Sequence, residues 1–136
     1  MKSGQSFYFV RSNTGDSTLT FAGAVVPLGS KVAYAIKAGS TTAMAYPWPD
    51  AMKIKDFQKY NSAPAGATGA NSTADQIWTY NGFTWTKYYY YKRGTTTKWC
   101  LAGGTSEIGD DVVIQSAAGF FFVRSNTADA TITFAR

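Results

Sequence analysis

The chain has 136 residues, a formal net charge of +5, one cysteine and no histidine. That length suits one domain with its own hydrophobic core, and the lone Cys100 excludes a disulfide within the chain. Without histidine, neither a Ser-His-Asp nor a Cys-His pair can form, so we expect a protein that is not an enzyme.

The composition favours β-strands. The chain holds 17 Thr and 22 aromatic residues but only three Leu. Branched and aromatic side chains fit a pleated surface better than a helix. We therefore predict an all-β fold, an antiparallel β-sandwich or barrel built of hairpins, with at most one short helix near residues 50–60.

One stretch occurs twice. Residues 7–22, the N-terminal copy, recur as residues 120–135, the C-terminal copy, with twelve of the sixteen positions identical. Each copy has two alternating apolar runs separated by a Ser-Asn-Thr-x-Asp break, which is typical of a β-hairpin. We predict one β domain over residues 1–136, in which the hairpin of residues 1–22 is duplicated at 117–136 and residues 23–116 form the body.

Because the two predicted hairpins are nearly identical in sequence, we expect them to pack against equivalent surfaces. Hairpins at both ends predict a head-to-tail contact between chains, which propagates as a filament unless its rotation closes a ring. The alternative is that both hairpins lie side by side in one sheet of a monomer. The residues that we expect to mediate self-association are Phe7, Phe9, Arg11, Phe21, Phe120, Phe122, Arg124 and Phe134.

The body begins with a predicted strand over residues 31–37, where large and small side chains alternate. Pro47 and Pro49 then exclude regular strand pairing. Asp50 could cap a short helix, although alternation leaves a strand open for the same stretch. Residues 61–73 are rich in Ala, Gly, Ser, Thr and Asn and predict a long surface loop.

Residues 75–91 predict a hairpin that turns at Asn81-Gly82, because this dipeptide suits a two-residue type I′ turn. That turn pairs Tyr80 with Phe83 and Trp78 with Trp85. Stacked rings on a sheet can bind the apolar faces of sugars, and the alternative is that this face is the core. The possible sugar platform consists of Trp78, Tyr80, Phe83 and Trp85.

Other ligand classes have weaker support. Residues 88–93 combine four tyrosines with Lys92 and Arg93, but alternation sends the rings to both faces of a strand, which argues against nucleic acid. No phosphate-binding loop, dinucleotide fingerprint or calcium-loop pattern is present, so we expect no cofactor and no metal ion. No apolar run approaches 18 residues, so we expect no membrane span.

Four short motifs follow one another along the chain. They are Tyr46-Pro47-Trp48-Pro49, Asp75-Gln76-Ile77-Trp78, Lys87-Tyr88-Tyr89 and the run from Gly119 to Arg124. Together they resemble the β-rich repeat of uncharacterised secreted and surface proteins of environmental bacteria, in which a Gly-x-Phe-Phe-Val strand closes each repeat. The resemblance covers most of residues 23–135.

This resemblance implies an extracellular or cell-surface module without catalytic residues. The chain departs from the family pattern at its start, where no apolar stretch of a signal peptide follows Lys2. It also holds one repeat together with the end of a preceding one. We therefore expect a structural subunit that binds copies of itself, with polysaccharide as the alternative partner.

Overall fold

The computed structural model describes residues 29–116 and 118–135. Nine strands and one short 3-10 helix form there. The strands are β1 (Lys31–Ile36), β2 (Thr41–Ala45), β3 (Met52–Lys53), β4 (Gln76–Tyr80), β5 (Trp85–Arg93), β6 (Thr96–Leu101), β7 (Val113–Ile114), β8 (Gly119–Val123) and β9 (Ala130–Ala135), and the helix is Ile54–Tyr60.

The predicted all-β class is confirmed, with antiparallel pairing between the strands. Five strands form one sheet in the order β2-β8-β4-β5-β6, and two further sheets are the pairs β1-β9 and β3-β7. None of the helical segments in the described ranges is long and apolar enough to cross a membrane.

The short helix predicted near residues 50–60 is present, but its predicted cap is wrong. The helix begins at Ile54, and Lys53 occupies the N-cap position without a side-chain hydrogen bond. Asp50 lies too far upstream because β3 intervenes and pairs with β7. The backbone N–H of Ile54 instead donates to the carbonyl of Val112, 3.0 Å away.

The hairpin of β4 and β5 forms, but the predicted two-residue turn is wrong. Tyr80 pairs with Trp85, not with Phe83, and four residues make the loop. The side-chain oxygen of Asn81 accepts hydrogen bonds from the backbone N–H groups of Phe83 and Thr84, at 3.0 and 2.9 Å. These bonds satisfy backbone N–H groups within the four-residue loop. Gly82 adopts a positive φ of 96°, which a glycine tolerates without strain.

The prediction of a hairpin in the C-terminal copy is also wrong. Strand β8 lies between β2 and β4 in the five-stranded sheet, whereas β9 pairs with β1 in a different sheet. The Ser-Asn-Thr-x-Asp break is therefore a crossing between two sheets, not a tight turn. The N-terminal copy, for which the same hairpin was predicted, lies outside the described residues.

Phe57 of the short helix is the centre of the hydrophobic core. Its ring stacks on Phe122 with centroids 5.3 Å apart, and it makes edge contacts with Trp99, Phe120 and Phe134 at 5.9 to 6.1 Å. Phe57 is fully buried. One ring thus contacts both strands of the C-terminal copy and the opposite end of the large sheet.

We expect Phe57→Ala to lower the free energy of unfolding by about 3 to 5 kcal/mol, because it removes a buried ring and leaves a cavity. Urea denaturation followed by tryptophan fluorescence measures the loss. Phe83→Ala is the matched control, since Phe83 is 89% exposed and should leave the midpoint almost unchanged. Equal midpoints for the two variants would contradict this assignment of the core.

Candidate self-association site and aromatic strip

The C-terminal copy occupies a site built from three strands of the body. Phe122 of β8 pairs with Thr42 of β2 on one side and with Ile77 of β4 on the other. Phe134 of β9 pairs with Val32 of β1. We call the surroundings of this copy, strands β1, β2 and β4 together with Asp75, the receiving site.

Asp75 lies immediately before β4 and binds the C-terminal copy through a buried ion pair. A terminal guanidinium nitrogen, Nη1, of Arg124 donates to both carboxylate oxygens of Asp75, at 2.8 and 2.7 Å. The two side chains are 1% and 0% exposed. A charge pair in such a place is stable only when its remaining hydrogen-bonding positions are filled.

The remaining positions around the Asp75 carboxylate are filled by three more donors. The side-chain amide of Asn61 donates at 2.7 Å, and the backbone N–H groups of Ala65 and Ser125 donate at 3.0 and 3.1 Å. Arg124 directs its Nε at the carbonyl of Ala128, 2.7 Å away. The carboxylate therefore connects the loop before β4 with the crossing between β8 and β9.

The crossing is also attached through its backbone. The N–H of Arg124 donates to the carbonyl of Ser40, and the N–H of Gly39 donates to the carbonyl of Ser125, at 2.8 and 2.9 Å. The N–H of Asn126 donates to the carbonyl of Ser72 at 2.8 Å. These bonds direct the chain away from β8 toward β1, which explains why the copy is not a hairpin.

An exposed ion pair lies at the far end of the crossing. Lys37 donates to Asp129 at 2.7 Å, and the backbone N–H of Ala38 donates to the same carboxylate at 2.9 Å. The hydrogen bond from Lys37 holds the pKa of Asp129 below its usual value, and the pKa of Lys37 is raised by the same contact. Because both side chains are exposed, this pair orients the loop more than it stabilises it.

The predicted self-association residues of the C-terminal copy are all inside the chain. Phe120, Phe122 and Phe134 are 0% exposed, and Arg124 is 2% exposed. Both edges of β8 are paired, so neither is available for a strand from another molecule. These side chains could contact a second chain only by leaving their own receiving site. Their counterparts Phe7, Phe9, Arg11 and Phe21 lie outside the described residues.

The sequence pattern indicated Arg124 but not its partners. Asp75 begins one of the motifs quoted for the resemblance, and Asn61 begins the predicted surface loop, but no local pattern marks either side chain as buried. A usable signal is that an arginine recurs at the end of an apolar run in both copies, because an arginine at such a position needs an acceptor.

The predicted aromatic face is on the outer side of the five-stranded sheet. The rings of Tyr80 and Trp85 lie 4.9 Å apart, and Trp85 stacks on Phe121 at 5.1 Å. Lys87 places its ammonium 4.0 Å from the ring of Trp78. We call Trp78, Tyr80, Trp85 and Phe121 the aromatic strip. Tyr80 and Trp85 are 47% and 38% exposed.

Phe83, the fourth ring of the predicted platform, is not part of this strip. It lies in the loop between β4 and β5 and pairs with no strand residue, because the register differs from the predicted one. Phe121 of β8 takes its place next to Trp85. The platform therefore extends over three strands, not two.

The only cysteine of the chain, Cys100, belongs to a small buried cluster with Ala74, Tyr89 and Tyr91. Cys100 is fully buried, and burial raises the pKa of its thiol. Within residues 29–116 and 118–135, no three metal-ligating side chains come together. The chain matches no family model, and no curated protein or solved structure is significantly similar to it.

We expect Asp75→Ala to lower the free energy of unfolding by about 3 to 5 kcal/mol, because it leaves a buried arginine without its counter-charge. Chemical denaturation measures the effect. Asp110→Ala is the control, since Asp110 pairs with Lys53 and Lys55 at the exposed surface and its loss should change little. A small effect of Asp75→Ala would show that the ion pair does not hold the copy in place.

Proposed function

We propose that this protein is a non-enzymatic structural module that self-associates head to tail by exchange of its duplicated segment, as a surface or fibre subunit. The proposal rests on the number of copies of the duplicated segment compared with the number of receiving sites. The chain contains two copies of the segment, and the described residues form one receiving site, which the C-terminal copy fills.

The identity of the two copies supports exchange. Seven side chains of the C-terminal copy are buried, and five of them, Phe120, Phe122, Arg124, Ser125 and Phe134, have identical counterparts in the N-terminal copy. A segment that matches the buried positions of the site is chemically fitted to fill it. One copy per chain is then in surplus and available to a second chain.

Exchange also agrees with the pairing of β8. Addition of a strand to an exposed edge requires unpaired backbone groups, and β8 has partners on both sides. Exchange needs no free edge, because the incoming strand reproduces bonds that already exist in the monomer.

The extracellular location is proposed from the resemblance to secreted repeats alone, and fractionation of the source cells tests it.

We expect the mass of the full chain, measured by light scattering after size exclusion, to increase with concentration. Phe9→Asp should abolish this increase without lowering the melting temperature, because the one sound copy that remains fills the chain's own site and no copy is in surplus for a second chain. Phe83→Asp is the control and should assemble like the parent chain. A parent chain that stays monomeric, or a Phe9→Asp variant that assembles normally, would contradict the proposal.

A carbohydrate-binding module is the second candidate, and the exposure of the aromatic strip favours it. Tyr80 and Trp85 are both exposed, and their rings lie 4.9 Å apart across two strands at the outer face of the sheet. Pyranose rings pack on such surfaces through their C–H faces. The ammonium of Lys87 lies next to the strip and could donate to sugar hydroxyls.

We expect Trp85→Ala to abolish retention on insoluble polysaccharides such as cellulose, chitin or xylan if this candidate is correct. Co-sedimentation measures retention. Leu101→Ala is the control, because Leu101 is 49% exposed and lies outside the strip. Absence of retention by the parent chain, or retention that survives Trp85→Ala, removes the candidate.

A further inference from the structure

The position of the N-terminal copy in the chain bears on which receiving site it can reach. In the structure Ala135 lies opposite Lys31 at the start of β1. The equivalent residue of the N-terminal copy is Ala22, and residues 23–30 connect it to Lys31. A connection of that length allows two adjacent strands to run antiparallel, so the N-terminal copy can reach the place of β9 in its own chain.

The four positions at which the copies differ are compatible with the same site. Leu19 replaces Ile132 and Ser17 replaces Ala130, which are small changes of volume at buried positions. The other two differences fall on the half-buried Phe121 and the exposed Ala128. At Ala128 the contact with Arg124 uses the backbone carbonyl, which any residue supplies.

We propose that the N-terminal copy is a second occupant of the receiving site in its own chain, with Arg11 bound to Asp75, when the C-terminal copy has left for a second chain. This inference rests on the exchange proposed above. The C-terminal copy is then the one donated to a second chain, and the N-terminal copy remains in its own chain. Ser17 stands where the C-terminal copy has the buried Ala130, and a hydroxyl at that position would make the N-terminal copy the poorer fit, in keeping with the C-terminal copy filling the site in the structure.

The short connection favours the same chain as the source of the segment. A segment tethered by a short flexible linker has an effective concentration of the order of millimolar, well above that of a second chain in dilute solution. In an open row of exchanged chains, the first chain receives no segment from a neighbour. Its own N-terminal copy fills that site, so the row ends without an empty core.

Paired cysteines in the full chain test the inference. Thr41 of β2 pairs with Val123 in the C-terminal copy, and the equivalent residue of the N-terminal copy is Val10. Cross-strand partners lie within the range of a disulfide. Thr41→Cys with Val123→Cys reports the C-terminal copy, and Thr41→Cys with Val10→Cys reports the N-terminal copy.

Both pairs are oxidised with diamide in the parent chain and in an Arg124→Ala background, which weakens the C-terminal copy. We expect the Val123 pair to form in the parent chain. In the Arg124→Ala background we expect the yield of the Val10 pair to increase severalfold, at monomer mass, with the protein still folded by near-ultraviolet circular dichroism. Adding Arg11→Ala should remove the increase. Peptide mapping distinguishes these disulfides from any at the buried Cys100.

Three results would overturn the inference. One is a Val10 pair that stays reduced in the folded Arg124→Ala chain, and another is an Arg124→Ala chain that unfolds because no second copy replaces the first. The third is a Val10 disulfide found only between chains, at dimer mass. That last result would preserve the proposed self-association while assigning the N-terminal copy to a second molecule, so the two proposals fail separately.

Discussion

The buried ion pair between Asp75 and Arg124 determines how the C-terminal strands are arranged. It fixes the crossing between β8 and β9, and this crossing determines that one copy of the duplicated segment contributes strands to two sheets. Removal of either partner would leave a charge in the interior, and such a charge is costly. The pair therefore selects one arrangement of the segment.

The sequence predicted the classes of element better than their connections. Composition and alternation predicted the all-β class and a strand over residues 31–37, observed as Lys31–Ile36, because these depend on local side-chain shape. The break in the duplicated segment predicted a hairpin by the same local reasoning. That prediction was wrong because Ser40, Ser72 and Asp75, all distant in sequence, bind the break and separate its flanking strands.

In the candidate sites, too, the sequence predicted local features better than long-range contacts. The rings of Trp78, Tyr80 and Trp85 were correctly placed on one face, since the register changed by an even step that keeps side chains on the same side. Phe83 does not lie on that face, because the Asn81 side chain stabilises a loop longer than the predicted two-residue turn. Asp75 was named only as the first residue of a motif, and its role as the partner of Arg124 could not be predicted, because a buried aspartate differs from an exposed one only through the partners that the fold brings to it.

Asp75 and Arg124 should act as one energetic unit, and a double-mutant cycle measures whether they do. Asp75→Ala, Arg124→Ala and the double variant are measured by urea denaturation in an Arg11→Ala background, so that one candidate arginine remains for the carboxylate. We expect a coupling energy of about 2 kcal/mol or more, with the double variant no less stable than the less stable single variant. Losses that add to within about 0.5 kcal/mol would contradict it.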